Sequence, residues 1–239
     1  MQALILAGGK GTRLKPYTTI IPKPLMPVGD YAILEIILRQ LKHAGITEVI
    51  LAVGYLGHLF QAFFQDGGRH GMKISYSTET RPLGTAGPIA LVLEQLENDF
   101  LVMNGDILTT LNYNNLIAFH KKSKAAATIG TFQRDVKIDF GVVETDSDNK
   151  LVNYREKPTY HFDVSMGINV LNKQSIIPYL AGSEPLDIPE LMMRLFRDSR
   201  PVYCYREPCY WLDIGRVDDY QTAVEIFESQ QAAFFPEAP

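Results

Sequence analysis

Short apolar runs alternate with amphipathic stretches along the first half of the chain. Residues 2–7, inside the run MQALILA, read as a fully buried strand. Residues 31–44, YAILEIILRQLKHA, repeat their apolar positions at helical spacing and stop at Gly45. The run EVILAV at 48–53 is a second buried strand, 56–64 a second helix halted near Gly67-Gly68, and 73–77 a third strand. Residues 85–96 predict a third helix and 100–103 a fourth strand, which ends at Asn104-Gly105-Asp106. This β-α-β-α order predicts a mostly parallel sheet covered on both faces.

The pattern changes in the second half. Residues 128–132, 141–144 and 151–155 read as short strands, with a hairpin turn at Asp146-Ser147-Asp148-Asn149. A strand at 166–171, a helix at 188–198, strands at 202–205 and 210–212 and a last helix at 218–229 follow. No repeat, low-complexity stretch or clear linker interrupts the chain, so residues 1–239 are expected to form one continuous domain. The apolar stretch Ala232-Ala233-Phe234-Phe235-Pro236 suits a frayed end, a clamp on the domain or an oligomer contact.

With 46% hydrophobic and 21% charged residues, the composition is that of an ordinary globular enzyme with a sizeable core. A net charge of −4 gives no support to nonspecific nucleic-acid binding, though it leaves room for a local basic pocket. No apolar run approaches the ~18 residues that a membrane span needs. The N-terminal run lacks a basic leader and leads straight into glycines, which speaks against a secretory signal. The two cysteines, Cys204 and Cys209, match no zinc spacing and point to a reducing cytoplasm. The histidines at 43, 58, 70, 120 and 161 show no metal-ligand spacing.

Candidate chemistry begins where the first strand stops, at Gly8-Gly9-Lys10-Gly11-Thr12-Arg13-Leu14. The string is not a P-loop, and Leu14 stands where a dinucleotide fingerprint needs its third glycine. Glycines let bare N–H groups approach an anion, and Arg13 adds full charge; ten residues on, Lys23 sits in Ile21-Pro22-Lys23-Pro24-Leu25. A tight turn alone would account for the glycines, but not for the basic residues, and the reading is a triphosphate site at the carboxyl end of a strand. Asp106 and Asp213 each follow a short apolar run. Each alone could be a turn or capping residue. Together they suggest Mg2+, which takes one or two carboxylates and completes its shell with phosphate and water.

These strings resemble the sugar-1-phosphate nucleotidyltransferases, also called nucleoside-diphosphate-sugar pyrophosphorylases, and the resemblance runs along most of the chain. It implies a Rossmann-like three-layer α/β/α fold with an inserted mixed β region. It also implies a nucleotide half over about 1–110 and a sugar half over about 111–239. Arg13, Lys23 and Asp106 are then the expected catalytic residues, with Asp106 and Asp213 on the metal. Leu6, Ala7, Gly8, Gly9, Gly11, Thr12, Arg13, Glu79, Pro82, Gly84 and Thr85 are the expected nucleotide contacts. On the sugar side the expected residues are Asn104, Gly141, Glu156, Lys157 and Asn169. By itself Glu156-Lys157-Pro158 reads as a charged turn, and Gly141 as a bulge. The family uses the matching glutamate for sugar hydroxyls and the lysine for the sugar phosphate.

The segment Glu79–Gly87, ETRPLGTAG, matches the loop that contacts the base in the resembling family; thymidylyltransferases resemble it but tend to carry glutamine at Glu79, and Leu83-Gly84-Thr85-Ala86-Gly87 looks like the string of mannose-1-phosphate guanylyltransferases. A carboxylate only accepts hydrogen bonds, and guanine offers adjacent N1–H and N2–H donors. Uracil and thymine flank one N–H with two carbonyl oxygens. Glu79 therefore favours GTP, with mannose or a manno-configured heptose as the sugar. Uridylyl or thymidylyl transfer is the alternative within the class, and a silent relative that binds nucleotide sugars is the alternative outside it. Expected partners are a nucleoside triphosphate and a sugar 1-phosphate, without nucleic acid or membrane, and a homodimer is compatible with the sequence.

Overall fold

The computed structural model describes residues 1–9, 11–180 and 185–235; Lys10 of the glycine loop and Pro236 of the apolar tail lie outside them. The strands are β1 (Ala3–Leu6), β2 (Pro27–Val28), β3 (Tyr31–Ala32), β4 (Glu48–Val53), β5 (Lys73–Thr78), β6 (Asp99–Asn104) and β7 (Ile107–Thr109). They continue with β8 (Ala127–Lys137), β9 (Val142–Thr145), β10 (Leu151–Arg155), β11 (Thr159–Asn172), β12 (Val202–Tyr205) and β13 (Trp211–Asp213). The helices are α1 (Ile33–His43), α2 (Gly57–Phe64), α3 (Gly87–Val92), α4 (Tyr113–Ser123), α5 (Lys173–Leu180), α6 (Ile188–Arg197), α7 (Val217–Ser229) and α8 (Gln231–Phe234).

A seven-stranded sheet in the order β12-β8-β11-β6-β1-β4-β5 forms the centre. Its pairs are parallel except where β11 runs antiparallel to β6 and to β8. Successive strand residues point to opposite faces, so β1 sends Ala3 and Ile5 one way and Leu4 the other. Ala3 and Ile5 join a core with α1, α2, α4 and α7. Leu4, Ile50, Phe100 and Val102 join a second core with α3, α5 and α6. Helices thus cover both faces, the three-layer arrangement that near-continuous apolar strands require. The mixed β region is the β9–β10 hairpin together with the outer halves of β8 and β11.

Several elements differ from the sequence pattern. Helix α4 occupies a stretch where the sequence pattern places no element; Asn112 caps it by accepting from the Asn115 N–H at 3.2 Å. Helix α5 likewise lies where no helix is expected, and the helix at 85–96 is only α3 followed by a 3-10 turn. Strand β11 is 14 residues long, because its outer half pairs with β8 as an exposed ribbon that carries no apolar run. At the carboxyl end, Phe234 is fully buried and its carbonyl accepts from Gln40 Nε2 at 3.0 Å, so the apolar stretch clamps the domain as far as Phe235.

The register sets the site. Leu6 lies beside Ala52 and Asn104, and Val53 beside Thr78. Four parallel strands therefore end at one edge, and the segments after them rise over it together.

Candidate active site

The glycine loop leaves β1 at this edge. The Gly105 N–H donates to the Leu6 carbonyl and the Ala7 N–H to the Ala52 carbonyl, which ties the loop base to both neighbouring strands. Gly11 has φ of +58°, and a Cβ there would stand 2.9 Å from Thr18 Cγ2. The Thr18 hydroxyl donates to the Gly11 carbonyl at 2.7 Å, so only glycine suits this close turn.

Two cavities meet over the strand ends. One, of about 700 Å3, is lined by Leu6, Gly8, Gly9, Glu79, Pro82, Gly84, Thr85, Asn104 and Asp106 of the expected set. Ala52, Gly54, Tyr55, Thr80, Arg81 and Pro88 also line it. The other, of about 250 Å3, is lined by Leu6, Ala7, Gly9, Gly11, Thr12, Arg13, Lys23, Asp106 and Gly215, with Leu14 and Pro24. Leu6, Gly9 and Asp106 belong to both. The larger cavity has the size of a nucleoside pocket and the smaller one is cationic.

Lys23 sits at the junction. Its side chain is only 8% exposed, and its Nζ lies 2.5 Å from Asp106 Oδ2 and 3.7 Å from Asp213 Oδ1. Asp106 follows β6, and Asp213 ends β13, whose pairing with β7 sets Asp213 opposite Ile107. Desolvation and then the Asp106 carboxylate hold the Asp213 carboxyl above its ordinary range, while Lys23 and Arg13 pull it back. Its side chain is still 46% exposed, so water reaches the carboxylate. Both carboxylates reach one cation, here the ammonium. Among the described residues no group of three or more His, Cys, Asp or Glu gathers around a common point. Two carboxylates beside a phosphate-sized cavity fit a divalent ion that takes its remaining ligands from substrate and water.

Glu79 follows β5 and faces the larger cavity beside Gly8; a Cβ on Gly8 would lie 3.4 Å from Glu79 Oε1. Its Oε2 accepts from the Leu83 N–H at 3.1 Å, which fixes the carboxylate. The loop is held from outside by a residue the sequence pattern did not single out. Asp187, just before α6, accepts from the Thr85 N–H at 2.8 Å and the Thr85 hydroxyl at 3.1 Å. The Thr85 hydroxyl oxygen in turn accepts from the Ile188 N–H at 2.8 Å. Tyr55 was also missed; it reaches the Thr19 carbonyl at 3.0 Å from the cavity wall.

The expected sugar residues are not all brought together. Asn104 lines the larger cavity. Asn169 shares its sheet face by strand alternation, because it pairs with Val102. Asn169 is buried, and its Oδ1 has no hydrogen-bond partner among the described residues. Gly141, Glu156 and Lys157 form a separate group by the β9–β10 hairpin and line neither cavity. A Cβ on Gly141 would collide with the Tyr154 hydroxyl and come within 3.1 Å of Glu156 Oε2.

The profile of the Nucleotidyl transferase family matches residues 2–230. The chain belongs to this family. It is 35% identical over 226 residues to a mannose-1-phosphate guanylyltransferase of Mycobacterium tuberculosis, covering 92% of the chain and 62% of the relative. It is 31% identical over 242 residues to a UTP–glucose-1-phosphate uridylyltransferase of Synechocystis, covering 94% of the chain and 62% of the relative. The chain thus spans less than two thirds of the length of these relatives. A crystal structure of HddC from Yersinia pseudotuberculosis superposes with a TM-score of 0.73 at 26% identity, covering 95% of this chain and 99% of that one. Among the described residues, no helix of the chain is long and apolar enough to cross a membrane.

Proposed function

We propose that this chain transfers a nucleotidyl group from GTP to a sugar 1-phosphate of manno configuration, releasing pyrophosphate. The carrying observation is the meeting of the base-sized and cationic cavities at Asp106, with Lys23 between Asp106 and Asp213. The guanylyltransferase relative supports the reading, and the uridylyltransferase relative keeps UTP as the second nucleotide to test.

A sugar-phosphate oxygen attacks the α-phosphorus in line, a new P–O bond forms, and the bond to the β-phosphate oxygen breaks. No covalent enzyme intermediate is needed, so catalysis is positioning and charge stabilisation. Arg13 and the loop N–H groups hold the β- and γ-phosphates in the smaller cavity. Lys23 leaves its carboxylates to offset charge on the reacting phosphates. Asp106 and Asp213 would hold Mg2+, whose chemistry is to draw the two phosphates together and neutralise them. Glu79 accepts from guanine N1–H and N2–H. Asn104 and the unpartnered Asn169 oxygen face the sugar. Glu156 and Lys157 serve the sugar hydroxyls and phosphate from the hairpin side, within a sugar half that follows the nucleotide half. The setting is cytoplasmic, where Cys204 and Cys209 stay as the free thiols seen here.

Pyrophosphate release with Mg2+ tests this, with GTP, UTP, dTTP, CTP and ATP each offered mannose, glucose, N-acetylated and heptose 1-phosphates. Release with GTP and a manno-configured sugar is the expected result. Release with UTP or dTTP alone would keep the transfer and overturn the base assignment. Silence throughout, with nucleotide sugars still bound, would overturn the enzyme reading.

A further inference from the structure

A third cavity, of about 650 Å3, lies away from this site and carries a different chemistry. Arg39, Lys42 and His43 line it from α1, and Arg69 and His70 from the turn before β5. Among the described residues no acidic side chain lines it, although the chain has 27 acidic against 23 basic residues. It sits at the opposite edge of the sheet. It adjoins the end of α1 and the start of β5, whereas the nucleotide site adjoins the end of β5 at Thr78 and Glu79.

Compensation of the α1 dipole accounts for only part of the cluster. Lys42 and His43 are in the last helical turn, but the Lys42 ammonium reaches across to donate to the His70 carbonyl at 2.8 Å. Arg39 is matched by Glu35 at 2.8 Å. Arg69 and His43 have no partner among the described residues, and Lys42 keeps donors to spare. Leu38, Met72 and Phe235 supply an apolar wall. Cationic donors around an apolar wall match a phosphate or similar oxyanion attached to a flat or apolar body.

We propose that this cavity binds a small organic phosphate, at a site separate from the nucleotide site. The inference does not depend on which sugar nucleotide the chain makes. Calorimetric titration with phenyl phosphate, and with inorganic phosphate for comparison, tests it in an Arg13→Ala/Lys23→Ala/Lys157→Ala chain, where the nucleotide and sugar-phosphate positions no longer compete. One binding site is expected, with phenyl phosphate at least tenfold tighter than inorganic phosphate. Adding Arg69→Glu should weaken it at least tenfold, and Arg69→Lys should retain it. In the otherwise natural chain Arg69→Glu should leave turnover within twofold, which separates the two sites and shows that the fold survives. Absence of binding in the Arg13→Ala/Lys23→Ala/Lys157→Ala chain, or binding that Arg69→Glu does not move, would overturn the proposal. Equal affinity for the two phosphates would overturn its organic half.

Discussion

Lys23 is a cation held by two carboxylates in near-complete burial, and those carboxylates are the groups that a divalent ion would use. Its ammonium therefore holds Asp106 and Asp213 together. If it then offsets charge on the reacting phosphates, Lys23→Ala should cost roughly 10²–10³ in kcat, the scale of one lost electrostatic donor. A steady-state assay beside a thermal melt checks this; a normal rate in a folded, metal-loaded variant removes Lys23 from the chemistry. Glu79 makes a separate prediction about choice of base. Glu79→Gln keeps the size and an oxygen for the Leu83 N–H, but sets an amide donor against the guanine edge. The ratio of kcat/KM for GTP over UTP should fall about tenfold to a hundredfold, as expected for a charge-assisted hydrogen bond of about 1.5–3 kcal/mol. An unchanged ratio would mean that the base is read elsewhere along the 79–87 segment.

The 79–87 loop owes its shape to an element distant in sequence. The Ala86 and Gly87 N–H groups donate to the Leu186 carbonyl, and the Leu186 N–H donates back to the Leu83 carbonyl. Gly84 has φ of +76°, and a Cβ there would come within 2.5 Å of the Leu186 carbonyl oxygen. Gly84→Ala should therefore destabilise the chain by ~1–3 kcal/mol, through backbone strain and a lost docking surface, and a urea titration would show it. Asp187→Ala removes the acceptor for two Thr85 donors. It should raise KM for the nucleotide severalfold and leave kcat nearly unchanged, and Asp187→Asn, which keeps the accepting oxygen, should restore KM. This docking shows where the sequence stops being legible. The glycine loop, Lys23, Asp106 and Glu79 are readable because each follows an apolar strand or sits in a short distinctive string. Asp187 is not, because its role exists only once α6 packs beside the 79–87 loop. The outer half of β11 escaped for another reason: Tyr160, Phe162 and Val164 do alternate with polar residues, but the ribbon pairs in the open, with no buried face for that alternation to mark.

At the scale of the whole molecule, strands from both parts of the chain share one sheet. Strand β11 pairs with β6, and β12 enters beside β8, so the early and late segments bury a common core. His120 joins them. It is buried on α4, its Nδ1 lies 2.8 Å from Thr128 Oγ1 on β8, and its Nε2 lies 3.7 Å from Asp99 Oδ1 at the start of β6. Burial pulls its pKa below the ordinary 6.5, and the Asp99 carboxylate only partly opposes that. The folded chain thus keeps His120 neutral at a pH where the unfolded chain already binds the proton. Proton binding by the unfolded state makes stability rise with pH. The contribution is complete above about 6.5 and is lost as the pH falls through the lowered folded value. His120→Gln cannot titrate, so its urea midpoint should fall less than that of the natural chain between pH 7.5 and pH 5. The two profiles should differ most on the acid side of 6.5 and run parallel above it. Parallel profiles throughout would assign the acid sensitivity to other groups and leave His120 as a packing residue between α4 and the sheet.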